Sequence, residues 1–139
     1  MKKILFDVQV ILDVLQDRAR HREASAAAWA AVEGGKVEGF LAAHAVTTIH
    51  YLVRKERGAA KAKRILSAIL RVFGVAAVDG SVMNEALQLS CSDFEDAVTA
   101  AAARRSGCDC IVTRDPKGFR GSMVPSLTPD AALPLLGIE

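Results

Sequence analysis

Short apolar runs of strand character alternate with segments of helical period along this chain, and four carboxylates stand where a run ends or a helix begins. Asp7 follows KKILF, Asp115 follows CIVTR, and Asp93 and Asp96 open DFEDAVTAAAA. In parallel α/β sheets, the carboxyl ends of strands and the starts of the following helices converge on one crevice. Acids gathered there repel one another unless a cation joins them, and a hard divalent ion with oxygen ligands satisfies such a cluster. The expectation is an α/β fold with a Mg²⁺ or Mn²⁺ site suited to phosphate chemistry.

The spacing predicts strands near Lys3–Phe6, in GKVEGFLAA, in VFGVAAV, in CDCIVT and over Met123–Ser126. Between them it predicts helices over Val8–Gln16, Arg22–Gly34, Ala43–Arg57, Ala59–Leu70, Ser81–Ser90 and Asp93–Arg105. Gly58 breaks the third from the fourth, and Thr128 with Pro129 supplies the N-cap and first-turn proline of a last helix, Pro129–Leu136. Val46, Ile49, Leu52 and Val53, then Ile65, Leu66, Ile69 and Leu70, recur at helical spacing and read as core or as a dimer seam. Such βα alternation calls for a central parallel sheet of about five strands with helices on both faces.

Composition narrows the class. A chain of 139 residues is expected to form a single domain over 1–139, and one near this size buries about 68–70% of its unfolded surface. Hydrophobic content of 51% with 24% charged residues is globular rather than disordered. The apolar runs are far short of a bilayer span, so a soluble protein with no membrane partner is expected. MKKILFDV has no cleavage site after its short apolar run, and Cys91, Cys108 and Cys110 lack framework spacing; both fit a cytoplasmic chain with reduced thiols. Net charge is only +2, but Arg54, Lys55, Arg57, Lys61, Lys63, Arg64 and Arg71 face the single acid Glu56 in one stretch. Such a stripe attracts a polyanion or is simply a solvated helix face.

Phosphodiester hydrolysis needs an activated water, neutralised phosphate charge and a stabilised leaving oxygen, and carboxylate-held metals supply all three. Asp93 and Asp96 are three positions apart, on one helical face, and their place in the first turn also suits the helix dipole and a cap. Asp96 is harder to explain as a cap. Asp13 reads as a salt-bridge or surface residue, and Glu95 is expected to point away from Asp96's face. Thr113 can hold a carboxylate by its hydroxyl and Arg114 can meet phosphate, though both also suit a turn. Asp115-Pro116-Lys117-Gly118 is itself a good turn sequence. Cys108 and Cys110 read as buried small hydrophobes, and Trp29 as a packing residue.

Taken in order, FDVQVILDVLQDR, AVTTIHYLVRK, DFEDAVTAAAARRSGCDCIVTRDPKGF and VPSLTPDAAL resemble the PIN domain family, in particular the bacterial VapC-type toxins. The resemblance covers nearly the whole chain. It implies a three-layer α/β/α fold, often dimeric, that cuts RNA with Mg²⁺ or Mn²⁺ and is held by an antitoxin protein. By position it implies Asp7, Asp96 and Asp115 as catalytic metal ligands and Asp93 as an accessory ligand. Gln9, Thr48, Thr113 and His44 become accessory candidates; Arg114, Lys117, Arg54, Lys55 and Arg57 become RNA contacts.

Two positions depart from the family pattern. Thr48 stands where the family has glutamate, with no acid between Gly39 and Lys55, and Gln9 stands where it has asparagine. His44, four residues before Thr48, can stand in for the glutamate and would favour Mn²⁺. A haloacid-dehalogenase phosphatase would need a second acid in Asp7-Val8-Gln9. A receiver domain would need an acidic pair beside Asp7, and a nucleotide-binding P-loop a glycine-rich lysine loop. The expected function is a metal-dependent endoribonuclease, the toxin of a type II toxin–antitoxin pair. Its rival is a PIN-like module that binds RNA or protein without cutting.

Overall fold

The computed structural model describes residues 1–137. In chain order it runs β1 (Lys3–Phe6), α1 (Val8–Leu15), α2 (Arg22–Glu33), β2 (Glu38–Ala42), α3 (Ala43–Arg57), α4 (Ala59–Val72), β3 (Gly74–Ala76), α5 (Gly80–Ala86), α6 (Phe94–Arg105) and β4 (Cys110–Val112). A 3₁₀ turn (Pro116–Phe119), β5 (Ser126–Leu127) and α7 (Pro129–Ala132) follow. All strand pairs are parallel, in the order β3-β2-β1-β4-β5. The chain builds outward from β1 in one direction, then returns to pair β4 on β1's other edge. That reversal lies between β1 and β4, where a doubly wound sheet opens its crevice.

Both faces of the sheet are covered. Ile4, Phe6, Leu41, Cys110 and Val112 pack on one side with side chains of α1, α2, α3, α4 and α7, among them Val10, Ile11, Ala28, Ile49 and Ile69. Leu5, Ala42, Ala76 and Ile111 pack on the other with Val82, Ala86 and the alanines of α6. Every residue of β4 is buried, as a strand covered on two sides requires. Each large side chain so buried contributes about 1.5–3 kcal/mol. Phe73 organises the first layer: its ring meets Phe6 edge-on at 5.2 Å and Trp29 at 5.5 Å. Gly39 leaves the room for it, since a Cβ there would come within 2.8 Å of that ring.

The expected boundaries shift where proline or helix length intervenes. The third strand shortens because α4 continues to Val72, and the helix after it starts at Gly80 and stops at Ala86. The fifth strand lies at Ser126–Leu127 rather than Met123–Ser126: Pro125 offers only its carbonyl, which accepts from Ile111 N at 2.9 Å. The last helix ends at Ala132 and gives way to turns through Gly137, since Pro134 has no N–H to continue it. Gly58, at φ 88°, takes the left-handed conformation that separates α3 from α4.

Candidate functional site

Asp7 is the N-cap of α1 at the end of β1. Its backbone N–H donates to Val112 O at 2.9 Å, which ties it to β4. Its Oδ1 accepts from Val8 N at 2.9 Å and its Oδ2 from Thr113 Oγ1 at 2.9 Å. Thr113 is fully buried, and its hydroxyl oxygen also accepts from Asp115 N at 3.1 Å. Burial pushes the Asp7 carboxyl above its ordinary value, although the Thr113 and Val8 bonds pull the other way.

Asp93 caps α6: its Oδ1 accepts from Asp96 N at 2.8 Å. The capping role expected of it is therefore present, and it takes up one carboxylate oxygen. Asp96 sits one turn into the helix, with Ser92 Oγ donating to its Oδ2 at 3.3 Å. Its pKa rises to about 6, first through desolvation and then through the charges of Asp93, Asp7 and Glu95. Like charges crowd this carboxylate. Asp7, Gln9, His44, Asp93, Glu95, Asp96 and Thr99 share the walls of one cavity of about 180 Å³. Glu95 lines it instead of pointing away, since the first turn of α6 stands at the cavity's edge, close enough for the Glu95 charge to act on Asp7, His44 and Asp96.

Asp115 is not part of that lining; it comes up to Asp96 from the turn after β4. A Cβ on Gly118 would lie 2.8 Å from Asp96 Oδ2 and 3.3 Å from both Asp115 Oδ2 and Ser92 Oγ. Glycine keeps open the space that these two carboxylates border. The donor set, all carboxylate oxygen, suits a hard divalent cation. Among the described residues, no three His, Cys, Asp or Glu side chains converge tightly enough to share one ion in the positions they hold.

The other candidates divide. Gln9 accepts from Arg18 Nη1 at 2.6 Å and from Arg114 Nη2 at 3.3 Å. Arg114 Nε lies 3.1 Å from Asp13 Oδ2, close as an ion pair yet not aligned as a hydrogen bond. Asp13 is fully buried and also meets Arg18 and, at 3.0 Å, Ser25 Oγ, which decides for the salt bridge over the surface. Lys117 is exposed in the 3₁₀ turn beside Asp115. Arg54 and Lys55 are exposed, and Arg57 donates to Leu15 O at 2.6 Å at the end of α1. Ten helical residues from His44 to Arg54 put this basic end of α3 about 15 Å from the cavity. Thr48 lies outside the acid cavity, its hydroxyl donating to His44 O at 3.3 Å.

His44, in the first turn of α3, lines the cavity itself. Its Nε2 lies 3.1 Å from Thr99 Oγ1, and its Nδ1 is buried with no hydrogen-bond partner. No sequence signal pairs it with Thr99, 55 positions away.

A family model described as the PIN domain matches residues 3–117. Among solved structures, the fold is similar to a chain of a toxin–antitoxin complex from Klebsiella pneumoniae, at 17% identity and TM-score 0.68, covering 91% of this chain and 97% of that one. It is similar also to VapBC2 from Rickettsia felis bound to a promoter DNA fragment, at 11% identity and TM-score 0.70, covering 91% and 98%. A third is Mycobacterium tuberculosis VapC20, described as a sarcin-ricin loop cleaving toxin, at 17% identity and TM-score 0.59, covering 78% and 86%. At these identities the likeness is one of fold. No curated protein matches the sequence.

Proposed function

The chain belongs to the PIN domain family, and on that premise we propose that it is a divalent-metal-dependent endoribonuclease, the toxin of a type II toxin–antitoxin pair. One observation carries the reading. Carboxylates from three separate segments, Asp7 after β1, Asp96 in α6 and Asp115 after β4, gather at the crevice where the strand order reverses.

In this reading Asp7, Asp96 and Asp115 hold Mg²⁺ or Mn²⁺, with Asp93 as an outer acid. A bound divalent ion supplies charge neutralisation at the phosphate and an activated water. The protein's own part is orientation. Thr113 fixes Asp7 through Oδ2, the Asp93 cap fixes the start of α6, and Gly118 leaves room for the scissile group between Asp96 and Asp115. Arg114 and Lys117 flank Asp115 and meet the RNA backbone. Arg54, Lys55 and Arg57 attract the polyanion at longer range.

The partner that restrains it is an antitoxin protein, as the toxin–antitoxin complexes of similar fold suggest. No helix among the described residues is long and apolar enough to cross a membrane, and we place the protein in the cytoplasm. We read it as a homodimer. Exposed apolar side chains on the paired helices, Tyr51 on α3 and Leu70 on α4, support that, and size-exclusion with light scattering tests it.

The decisive experiment is cleavage of a mixed structured RNA pool in Mg²⁺, Mn²⁺ or chelator, beside Asp96→Asn prepared identically. Metal-dependent cutting abolished in the variant supports the nuclease. RNA binding without cutting in any metal would favour the non-catalytic module, to which Thr48 in the glutamate's place also points.

A further inference from the structure

The α3 glutamate of the family pattern has no counterpart at Thr48, whose hydroxyl is bonded within its own helix. The cavity nevertheless receives a side chain from α3. It is His44, one turn earlier, and the hydrogen bonds around it define its chemical state. Thr99 Oγ1 has a single proton and donates it to Glu95 O at 3.0 Å. With the proton on that bond, the contact between that oxygen and His44 Nε2 at 3.1 Å has the imidazole as its donor.

Nε2 therefore carries the hydrogen and Nδ1 the lone pair. The opposite tautomer would bury an N–H at Nδ1 with nothing to receive it, and orphaned buried donors are rarer than under-satisfied acceptors. The result is an imidazole held by one nitrogen, its other nitrogen bare and buried, in a residue that lines the cavity together with Asp7, Asp93, Glu95 and Asp96. A metal-ligating histidine takes this form, one nitrogen on the ion and the other donating to an oxygen that fixes the tautomer.

We propose that His44 Nδ1 is a ligand of the divalent cation, replacing the missing α3 glutamate, with Thr99 as the residue that orients it. The inference rests on the nuclease reading in taking the cavity for a cation site, and it deepens that reading by naming the preferred ion. Carboxylates alone suit Mg²⁺; an added imidazole shifts preference toward Mn²⁺ and other transition metals. The neutral side chain also lowers the site's negative charge by one relative to a glutamate. Thr99, 5% exposed, is a positioning residue.

The test uses the full chain with Mn²⁺ as the probe, read by pulsed electron paramagnetic resonance for nitrogen coupled to the metal. Wild-type protein is expected to show the coupling. His44→Ala should lose it and weaken Mn²⁺ binding at least tenfold, with a smaller change for Mg²⁺. Thr99→Val, close in shape, should weaken Mn²⁺ binding about 10–100-fold, the range for an outer-shell partner, and keep the nitrogen signal; it tests the orientation if His44→Ala does not fold. Mn²⁺ bound by wild type and lost in Asp96→Asn, yet with no nitrogen coupling, overturns the ligand and leaves the nuclease standing. Coupling that persists in His44→Ala also overturns it. A wild-type chain that takes up no Mn²⁺ overturns both.

Discussion

Thr113 Oγ1 donates to Asp7 Oδ2 at 2.9 Å across 106 positions of sequence, and the same oxygen accepts from Asp115 N at 3.1 Å. One buried hydroxyl thus holds the first acid of the site in place and fixes the backbone that carries the last. It works at the open end of the β1–β4 pair, just beyond the last backbone bond between them, from Asp7 N–H to Val112 O.

Thr113→Val keeps the shape and removes both bonds. A buried carboxylate loses a donor and a backbone N–H loses its acceptor, each worth about 1–3 kcal/mol. The variant should lose at least about 2 kcal/mol in urea unfolding, and metal should stabilise it less than wild type. An unchanged urea midpoint would mean that the hydroxyl is not holding the pair.

Asp96 sets a pH dependence of unusual sign. Its carboxyl titrates at about 6 in the fold, against 3.8 ordinarily, so the folded chain binds the proton more tightly than the unfolded one. Stability from this group therefore falls as pH rises between those values, and the penalty is complete above about 6. In chelator at pH 7.5, Asp96→Asn should melt above wild type, with the gap closing below pH 4. Added Mn²⁺ should reverse the order, because the ion binds the folded wild type. A wild-type chain that melts level with the variant in chelator would contradict the crowded-acid picture.

Gly118→Ala separates fold from site. The new methyl would meet Asp96 Oδ2 at 2.8 Å and Asp115 Oδ2 at 3.3 Å, and both are ends of side chains that can swing aside. Unfolding free energy in chelator should change by less than about 1 kcal/mol, while stabilisation by Mg²⁺ or Mn²⁺ and any RNA cleavage should be lost. A variant with full metal response would show that the space beside Gly118 is not used.

Away from the site, Glu85 of α5 receives Arg104 through Nε at 2.7 Å and through a second guanidinium nitrogen, and Arg105 Nε at 2.9 Å. The Arg104 bond foremost pulls its carboxyl down to about 2. This group therefore stabilises the fold above its ordinary range, near 4.5, and loses that contribution as pH falls toward 2. Glu85→Gln should cost on the order of 1 kcal/mol at pH 7 and nothing near pH 2, read by denaturant melts at the two pH values. An equal cost at both would point to packing instead of charge.

The architecture was legible because its signals are local. KILF and CIV are short apolar strands, Gly58 marks the break between two helices, and Thr128-Pro129 announces the last one. Asp7, Asp93 and Asp115 stand at element ends that local pattern alone locates. Proline edited what pattern suggested: Pro125 and Pro134 each remove a donor that a longer strand or helix would need.

Three features of the site were not legible for a common reason. Glu95 was expected on the far side of α6 from its helical phase alone, but phase says little in a first turn that opens onto a cavity. Asp13 makes the salt bridge that was one of its two readings, but its full burial, among Arg18, Arg114 and Ser25 from different parts of the chain, was not foreseen. The state of His44 depends on Thr99 on another helix. Each is a tertiary contact between residues with no distinguishing spacing.

The pairing of β1 with β4, Leu5 against Ile111, also imposes an order in time. A ribosome adds about 5–20 residues per second, so roughly 5–20 seconds separate the synthesis of Asp7 from that of Asp115. Throughout that interval the emerging chain has a first acid with no partner strand to carry the hydroxyl that pins it. The carboxylates meet only after β4 has been made, and a product truncated before α6 has no means of assembling them.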